Sequence, residues 1–568
     1  VVVCMRRSSP GGSACLLRLY NLANQRRRTG CDREETALMY WKEAWAARLA
    51  WMLPLGVFLG LVLVHSDLPG VYMDAVNPDF LAAQWLHRGH NPGAGIPSKI
   101  FPILGSFYHG LQNAYLGLPF FAVTGFSVTS LRLEQAVFGL ILLAALYQLT
   151  RRLTGAHGLA LATGIGLATE LAFTASFRTQ FYIVLGGAAW LVVSMLLALP
   201  AEGGSWIVRR RVFWSGVFFG LASYGYFVLA FFAPAMAILV ACWIPRRDWG
   251  RWVAGAVVGV SPFLLGFLSL LAKKHGVEPT LEFVRGMLGQ LKPFDASGAS
   301  GNNLQYAWAL LGLATSDAAN EAMIFGQGLP GAWGAMKAWW LVAAVAGLVA
   351  IGIVLVCRRQ PQATMMILPG LMPISFVAVA SLFGHRLWAH HFSVLLPFVY
   401  LLPALLAAKL AELARLPARP VPMAVVVALA LAVIGGNLVQ QARFHEWLAK
   451  TGGRGRSSDA LTTLALEARG VPANVAYLFP EWGFFTSFAF LTGNRVRYSV
   501  DIEPATIAKL EKDGITEFRL VYWNAADEGR YRQALQANGI QSLEARTFPS
   551  REGQPVFHWL RGGLGGHP

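Results

Sequence analysis

Long apolar runs closed by small basic clusters set the rhythm of the first 440 residues. A helix needs about 17 to 25 mostly apolar residues to cross a bilayer. Runs of that kind lie near 47–65, 131–149, 157–176, 180–199, 212–228, 229–245, 251–271, 337–356, 363–383, 391–408 and 420–438. The basic groups Arg151-Arg152, Arg209-Arg210-Arg211, Arg246-Arg247, Arg358-Arg359 and Lys409/Arg415/Arg419 fall at alternate ends of these runs. Positive charge is retained in the cytoplasm, so one assignment satisfies every cluster: N-terminus inside, about eleven spans, C-terminus outside. The apolar segment "LQNAYLGLPFFAVTG" (111–125) would invert every later loop if it crossed. The pattern therefore predicts an interfacial or re-entrant helix there, within a large first outer loop at 66–130. A second outer loop, 272–336, contains the stretch "DASGASGNN". Both are longer than a simple turn requires, which marks them as working loops.

Beyond residue 440 the pattern changes. "GGRGRSS" reads as a linker. "NVAYLF" (474–479), "RVRYSV" (495–500) and "EFRLVYW" (517–523) read as strands, and "EPATIAKLEKDG" and "EGRYRQALQANG" as amphipathic helices ending in Gly. The expected architecture is an α-helical polytopic membrane protein with a small C-terminal α/β domain. Its divisions are a basic tail at 1–38, a transmembrane domain at 39–440, and a periplasmic α/β domain at 441–568. The tail lacks the apolar core and cleavage site of a signal peptide, so it is expected to be a disordered arm or an extension upstream of Met39.

Composition agrees with the membrane class. The 568 residues are 55% hydrophobic and 14% charged, against about 25% charged in soluble chains, and the mean hydropathy is +0.48. The net charge of +17 does not point to nucleic acid, because the Arg residues sit between apolar runs and not on one face. The cysteines, Cys4, Cys15, Cys31, Cys242 and Cys357, avoid the long outer segments, so no structural disulfide is expected.

The first candidate chemistry is "VYMDAVNPDF" (71–80), directly after the first apolar run. Asn77-Pro78-Asp79 has the form of an N-cap followed by the first helical residues, which predicts a helix from Pro78. Asp79 would then complement the helix dipole. Asp74 has no such role, and an acid at the membrane edge is costly unless it is used. Asp74 is the leading candidate for a catalytic base, and Asp79 the second.

A first transmembrane helix with an acid at its outer end, a helix-rich first outer loop and an extracytoplasmic tail resemble the GT-C glycosyltransferases. The nearest branch is that of the protein O-mannosyltransferases and the lipid A aminoarabinose transferase. The resemblance covers about 45–410 and is carried by residues 116–185. There an apolar helix is followed by a "TSLR" entry, a long helix, an "RRLTG" turn, another helix, and Arg178 opening the next. The sequence departs from the family in two places. Four residues separate Asp74 from Asp79 where the family has adjacent acids, and "FPILGSFYHG" replaces the usual His-Pro-Pro element.

The resemblance implies an inverting transferase that moves a sugar from a polyprenyl-phosphate donor to an acceptor on the periplasmic face of a bacterial inner membrane. A carboxylate would deprotonate the acceptor hydroxyl, and cations would stabilise the departing phosphate. The donor-phosphate candidates are Arg386, His385, His390 and His391 in "GHRLWAHHF", with Arg178, Lys273 and Lys274. Snorkelling to headgroups is the alternative for the cations. Tyr108, His109, Glu481 and Trp482 are the acceptor-side candidates, with loop packing and domain docking as the alternatives. No metal or other cofactor is expected, because no set of ligand spacing faces Asp74. The partners expected are membrane lipids, the lipid-linked donor, and a glycan, lipid or protein acceptor, with no nucleic acid. An oligosaccharide ligase or polymerase of related fold is the enzymatic alternative. A transporter or flippase is the alternative of another class, although no internal repeat is present. A non-catalytic assembly subunit is a third.

Overall fold

The computed structural model describes residues 49–87, 103–106, 108–200, 205–290, 303–329, 333–358, 365–413 and 420–564. The basic tail and most of "DASGASGNN" lie outside them. Residues Leu53–Pro568 form one compact unit.

Helical elements stand at each predicted apolar run. Among the described residues five are long and apolar enough to cross a membrane: Val128–Thr154, Arg246–Lys273, Met336–Cys357, Ala389–Leu413 and Ala424–Thr451. Shorter apolar helices accompany them at Met52–Leu63, Tyr182–Ala198, Phe227–Trp243 and Leu368–Ala380. The run at 157–176 is broken by Glu170, whose carboxylate accepts from Ala172 N at 3.2 Å and caps a second short helix. Between Ser205–Gly225 and Trp249–Lys273 the backbones meet along Gly216, Gly220, Gly255 and Gly259. A Cβ at any of these would lie 2.0 to 2.3 Å from a facing carbonyl oxygen. Small residues permit this approach where lipid offers no hydrophobic drive to association. Cys242 and Cys357 are free thiols.

The segment 111–125 is indeed a helix, Gln112–Thr124. Its 13 residues reach about 20 Å at 1.5 Å per residue, short of the roughly 30 Å hydrocarbon layer. The second predicted outer loop also contains helices, at Val277–Gln290, Asn303–Thr315 and Ala318–Phe325. Asn303–Thr315 buries Ala307, Leu310, Leu311 and Ala314 in the same core as the membrane helices.

The C-terminal region holds a five-stranded sheet: β1 Val475–Leu478, β2 Arg497–Ser499, β3 Glu517–Tyr522, β4 Ile540–Pro549 and β5 Pro555–Leu564. Its order is β2-β1-β3-β5-β4, with β1 parallel to β2 and β3, and β5 antiparallel to β3 and β4. The first three strands match the periodicity. The β4–β5 hairpin was not read from the sequence.

Two expectations are corrected. The boundary at 440 cuts through the helix Pro420–Thr451. Beyond it, the α/β region shares one hydrophobic core with the segment expected to be the first outer loop: Val76, Phe80, Leu111 and Phe121 join Leu464, Tyr477, Phe488 and Phe490. "GGRGRSS" is not a free linker either. Arg454 N donates to Ile324 O at 2.8 Å, Ser457 Oγ to Met323 O at 2.8 Å, and Ser457 and Ser458 are buried. The positive φ of Gly452 (66°) and Gly453 (89°) makes this tight packing possible.

Candidate active site

A 3-10 turn, Met73–Ala75, carries Asp74. Val71, Ala75, Val76 and Phe80 fill the shared core, which leaves the side chain of Asp74 to face the other way. It lines a cavity of about 810 Å³ with Tyr108, His109, Tyr226, Arg386, His390 and His391. From the C-terminal region Arg456 and Trp482 reach the same space. Asp74 makes no hydrogen bond or ion pair with any described residue. Burial pushes its carboxyl up to about 6, so it remains ionised at neutral pH and available to accept a proton.

Asp79 differs from the expectation. The helix is Phe80–Leu86, and Asp79 precedes it without capping it. Its side chain is instead fully buried, accepting from Tyr182 Oη at 2.5 Å and Gln135 Nε2 at 3.2 Å. The dipole reading fails because the chain turns at 77–79 and directs the carboxylate inward. Asp79 is outside the cavity lining.

Arg386 lies in the 3-10 turn Gly384–Arg386 and lines the cavity wall. His390 and His391 lie with ring centroids 4.0 Å apart. His391 Nδ1 accepts from Trp388 N at 2.8 Å, which places its proton on Nε2, 3.1 Å from Tyr226 Oη. Both nitrogens of His391 are thus engaged by the protein, and the ring serves to hold Tyr226. The side chain of His385 lies outside the described residues. His109 donates from Nδ1 to Gly110 O at 3.1 Å, and burial lowers its pKa to about 4, so it is neutral. Its ring stacks on Tyr226 at 6.0 Å. The strip bearing Tyr108 and His109 is pinned by Phe227 N to Tyr108 O at 2.9 Å and Gly110 N to Tyr224 O at 2.8 Å.

Other candidates are placed elsewhere. Arg178 turns away from the cavity and donates to the carbonyls of Val62, Val64, His65 and Leu68 at 2.5 to 3.1 Å. It caps the C-terminus of Met52–Leu63 and shapes the chain leading to Asp74. Lys273 and Lys274 end Trp249–Lys273, with Lys274 over the Phe283 ring at 4.4 Å, and neither lines the cavity. Glu481 accepts from Trp523 N at 2.7 Å and Tyr531 Oη at 2.9 Å inside the α/β region. Its neighbour Trp482 is 51% exposed on the cavity wall.

Sequence reasoning missed Arg456, Tyr72, Tyr226 and Trp388. Arg456 Nη1 donates to Tyr72 Oη at 3.3 Å, and its guanidinium lies over the rings of Tyr72 and Trp523 at 5.9 and 5.7 Å. Trp482 meets Tyr72 edge to face at 5.3 Å. An Arg between two serines and a glycine offered a weak signal, because Gly-rich turns allow a close approach of backbone to backbone.

Residues 109–270 match the family model of dolichyl-phosphate-mannose-protein mannosyltransferases. The crystal structure of ArnT from Cupriavidus metallidurans bound to undecaprenyl phosphate superposes with a TM-score of 0.56 at 14% identity, covering 91% of this chain and 99% of that one. This chain therefore has the fold of that ArnT structure. The mycobacterial arabinofuranosyltransferase AftD also aligns, at 14% identity and a TM-score of 0.37, over 92% of this chain and 41% of that one. No curated protein matches the chain. The cavity sets one carboxylate, Asp74, without a partner among the described residues, beside two guanidiniums, Arg386 and Arg456: a proton acceptor next to a place for an anion.

Proposed function

We propose that the protein is an inverting glycosyltransferase moving one sugar from a polyprenyl-phosphate donor to an acceptor hydroxyl on the periplasmic face of a bacterial inner membrane. The observation that carries this reading is the single cavity lined by Asp74, Arg386 and Arg456. Asp74 takes the acceptor proton as the acceptor oxygen attacks the anomeric carbon. The anomeric C–O bond breaks on the opposite face, and its electron pair leaves with the polyprenyl phosphate. Arg386 and Arg456 meet the charge that develops there. Trp388 and Trp482, 68% and 51% exposed on the cavity wall, offer flat faces to a sugar ring. The ligand named for the ArnT structure, undecaprenyl phosphate, supplies the model for the donor lipid.

The reading places the N-terminus in the cytoplasm, counts about eleven spans and sets the α/β region outside, following the Arg clusters. It requires no divalent ion, since Asp74 is the sole carboxylate among the described lining residues and hard cations take several oxygen ligands.

The test is lipid extraction from cells lacking the protein. A polyprenyl-phosphate-linked sugar should accumulate, and should disappear on complementation with the wild type but not with Asp74→Asn. Absence of any such lipid in the deletion strain, with normal donor synthesis, overturns the reading.

A further inference from the structure

A second cavity, of about 940 Å³, lies between the end of the Gln112–Thr124 helix and the β2 edge of the sheet, and shares no lining residue with the Asp74 cavity. Arg469, Arg495, Arg497 and Asp513 line it. Asp513 is within 3.4 Å of Arg497, while Arg469 and Arg495 have no carboxylate in ion-pair distance among the described residues. Arg469 is held in place by backbone acceptors: Nε donates to Leu491 O at 2.9 Å, and Nη2 to Phe126 O at 2.5 Å. Arg495 Nη2 lies 2.9 Å from His87 Nε2, so that ring nitrogen acts as an acceptor and is already used. Burial, then the charge of Arg495, lowers the pKa of Arg469.

Uncompensated guanidiniums in a recess of this size call for an anion with several oxygens. The rim adds a second requirement. Ala122, Thr124 and Gly125 line the mouth, and the adjacent Val123 is 87% exposed at the tip of the same helix. An apolar tip beside a cationic recess matches an amphiphile whose phosphate enters the recess and whose chains run past the tip.

We infer that this cavity is a phosphate-binding site, distinct from the catalytic one, that takes the headgroup of an anionic membrane phospholipid. The inference rests on the reading of this region as lying at the outer membrane surface. The helix Phe80–Leu86 runs between the two cavities, with Asn77 of the first before its start and Leu86 and His87 of the second at its end; its seven residues span about 10 Å at 1.5 Å per residue. Occupancy would thus brace the element that follows Asp74.

The experiment uses the full-length protein in detergent, titrated separately with short-chain phosphatidylglycerol, short-chain phosphatidylcholine and inorganic phosphate, and read by native mass spectrometry. Arg495→Glu is the test variant, because Arg495 is exposed and its replacement leaves the core intact. Asp74→Asn is the control for the catalytic cavity. Phosphatidylglycerol should bind the wild type and Asp74→Asn equally, and Arg495→Glu about tenfold or more weaker, as expected for loss of a charge-assisted contact. Phosphatidylcholine should bind weakly throughout. Binding of inorganic phosphate with the same Arg495 dependence supports the anion site and assigns it to a free phosphate in place of a lipid. Equal binding to Arg495→Glu, or binding lost only in Asp74→Asn, overturns the site. The Asp74→Asn arm keeps this outcome separate from the fate of the proposed transferase reaction.

Discussion

Tyr182 donates its hydroxyl to the buried carboxylate of Asp79 at 2.5 Å, and this bond separates the two acids of the first outer loop. Asp79 is committed to holding the chain, while Asp74, a 3-10 turn earlier, has no hydrogen-bond or ion-pair partner among the described residues. Glu134 is also fully buried and is the electrostatic neighbour of Asp79. Asp79→Asn retains an acceptor for Tyr182 and removes a charge, so it should fold within about 1 kcal/mol of the wild type and keep its activity. Asp79→Ala removes the acceptor that Tyr182 and Gln135 share, leaving them only the carbonyls of Asn77 and Ala75, and should cost about 1–3 kcal/mol. Thermal unfolding of both variants, with turnover, checks this.

Asp74→Asn removes the base and keeps its shape. Turnover should fall about a hundredfold or more, within the usual contribution of general base catalysis, and donor binding should survive. A fully active Asp74→Asn would assign the base to another residue.

The pH profile follows from the same carboxyl. Burial raises Asp74 to about 6, and the base works only when ionised. The value of kcat/KM should therefore rise about tenfold per unit up to a limb near pH 6 and then level. Asp79 is also raised, to about 6, by burial against the lowering bonds from Tyr182 and Gln135. The fold holds that proton more tightly than the unfolded chain does, so this group's contribution to stability is lost as pH rises from about 4 to 6. Asp79→Asn should flatten the stability curve there and leave the limb of the rate profile in place.

Arg386→Ala should weaken donor use strongly, and Arg386→Lys should restore only part, because an ammonium cannot replace a two-pronged guanidinium on phosphate. Kinetics with donor varied at fixed acceptor measure this. Wild-type rates in Arg386→Ala would reduce the residue to a membrane anchor.

Lys337 reports on a buried network far from the cavity lining. It pairs with Glu170 and lies 3.5 Å from Asp317, all three excluded from solvent. Asp317 begins the helix Ala318–Phe325, where Asn320 accepts from Thr179 at 2.7 Å. Its later residues Met323 and Ile324 hold the turn that presents Arg456. Lys337→Met should destabilise the protein by about 3–5 kcal/mol, since two buried carboxylates lose their cation. Replacing Glu170 and Asp317 by their amides in the same chain should recover much of the loss in melting temperature.

Chelation tests the absence of a metal requirement. Turnover should be unchanged in excess chelator, and restoration by magnesium or manganese after a loss would overturn that expectation.

The sequence by itself determined the apolar helices, because about twenty apolar residues in a row have few other uses, and it marked the helix at Gln112–Thr124. It also pointed to Asp74, Arg386 and Trp482, since charge and aromatic surface at a membrane edge need a reason. Only the tertiary structure decided which candidates share a cavity. Arg178 and Glu481 carry the same chemistry as Arg386 and Asp74, yet backbone carbonyls consume the first, and Trp523 N with the Tyr531 hydroxyl the second, and no local pattern encodes which way a side chain turns once its neighbours pack. Arg456 was illegible for the opposite reason: it lies 382 residues from Asp74 in sequence and enters the site only because the α/β region and the first outer loop bury one core between them.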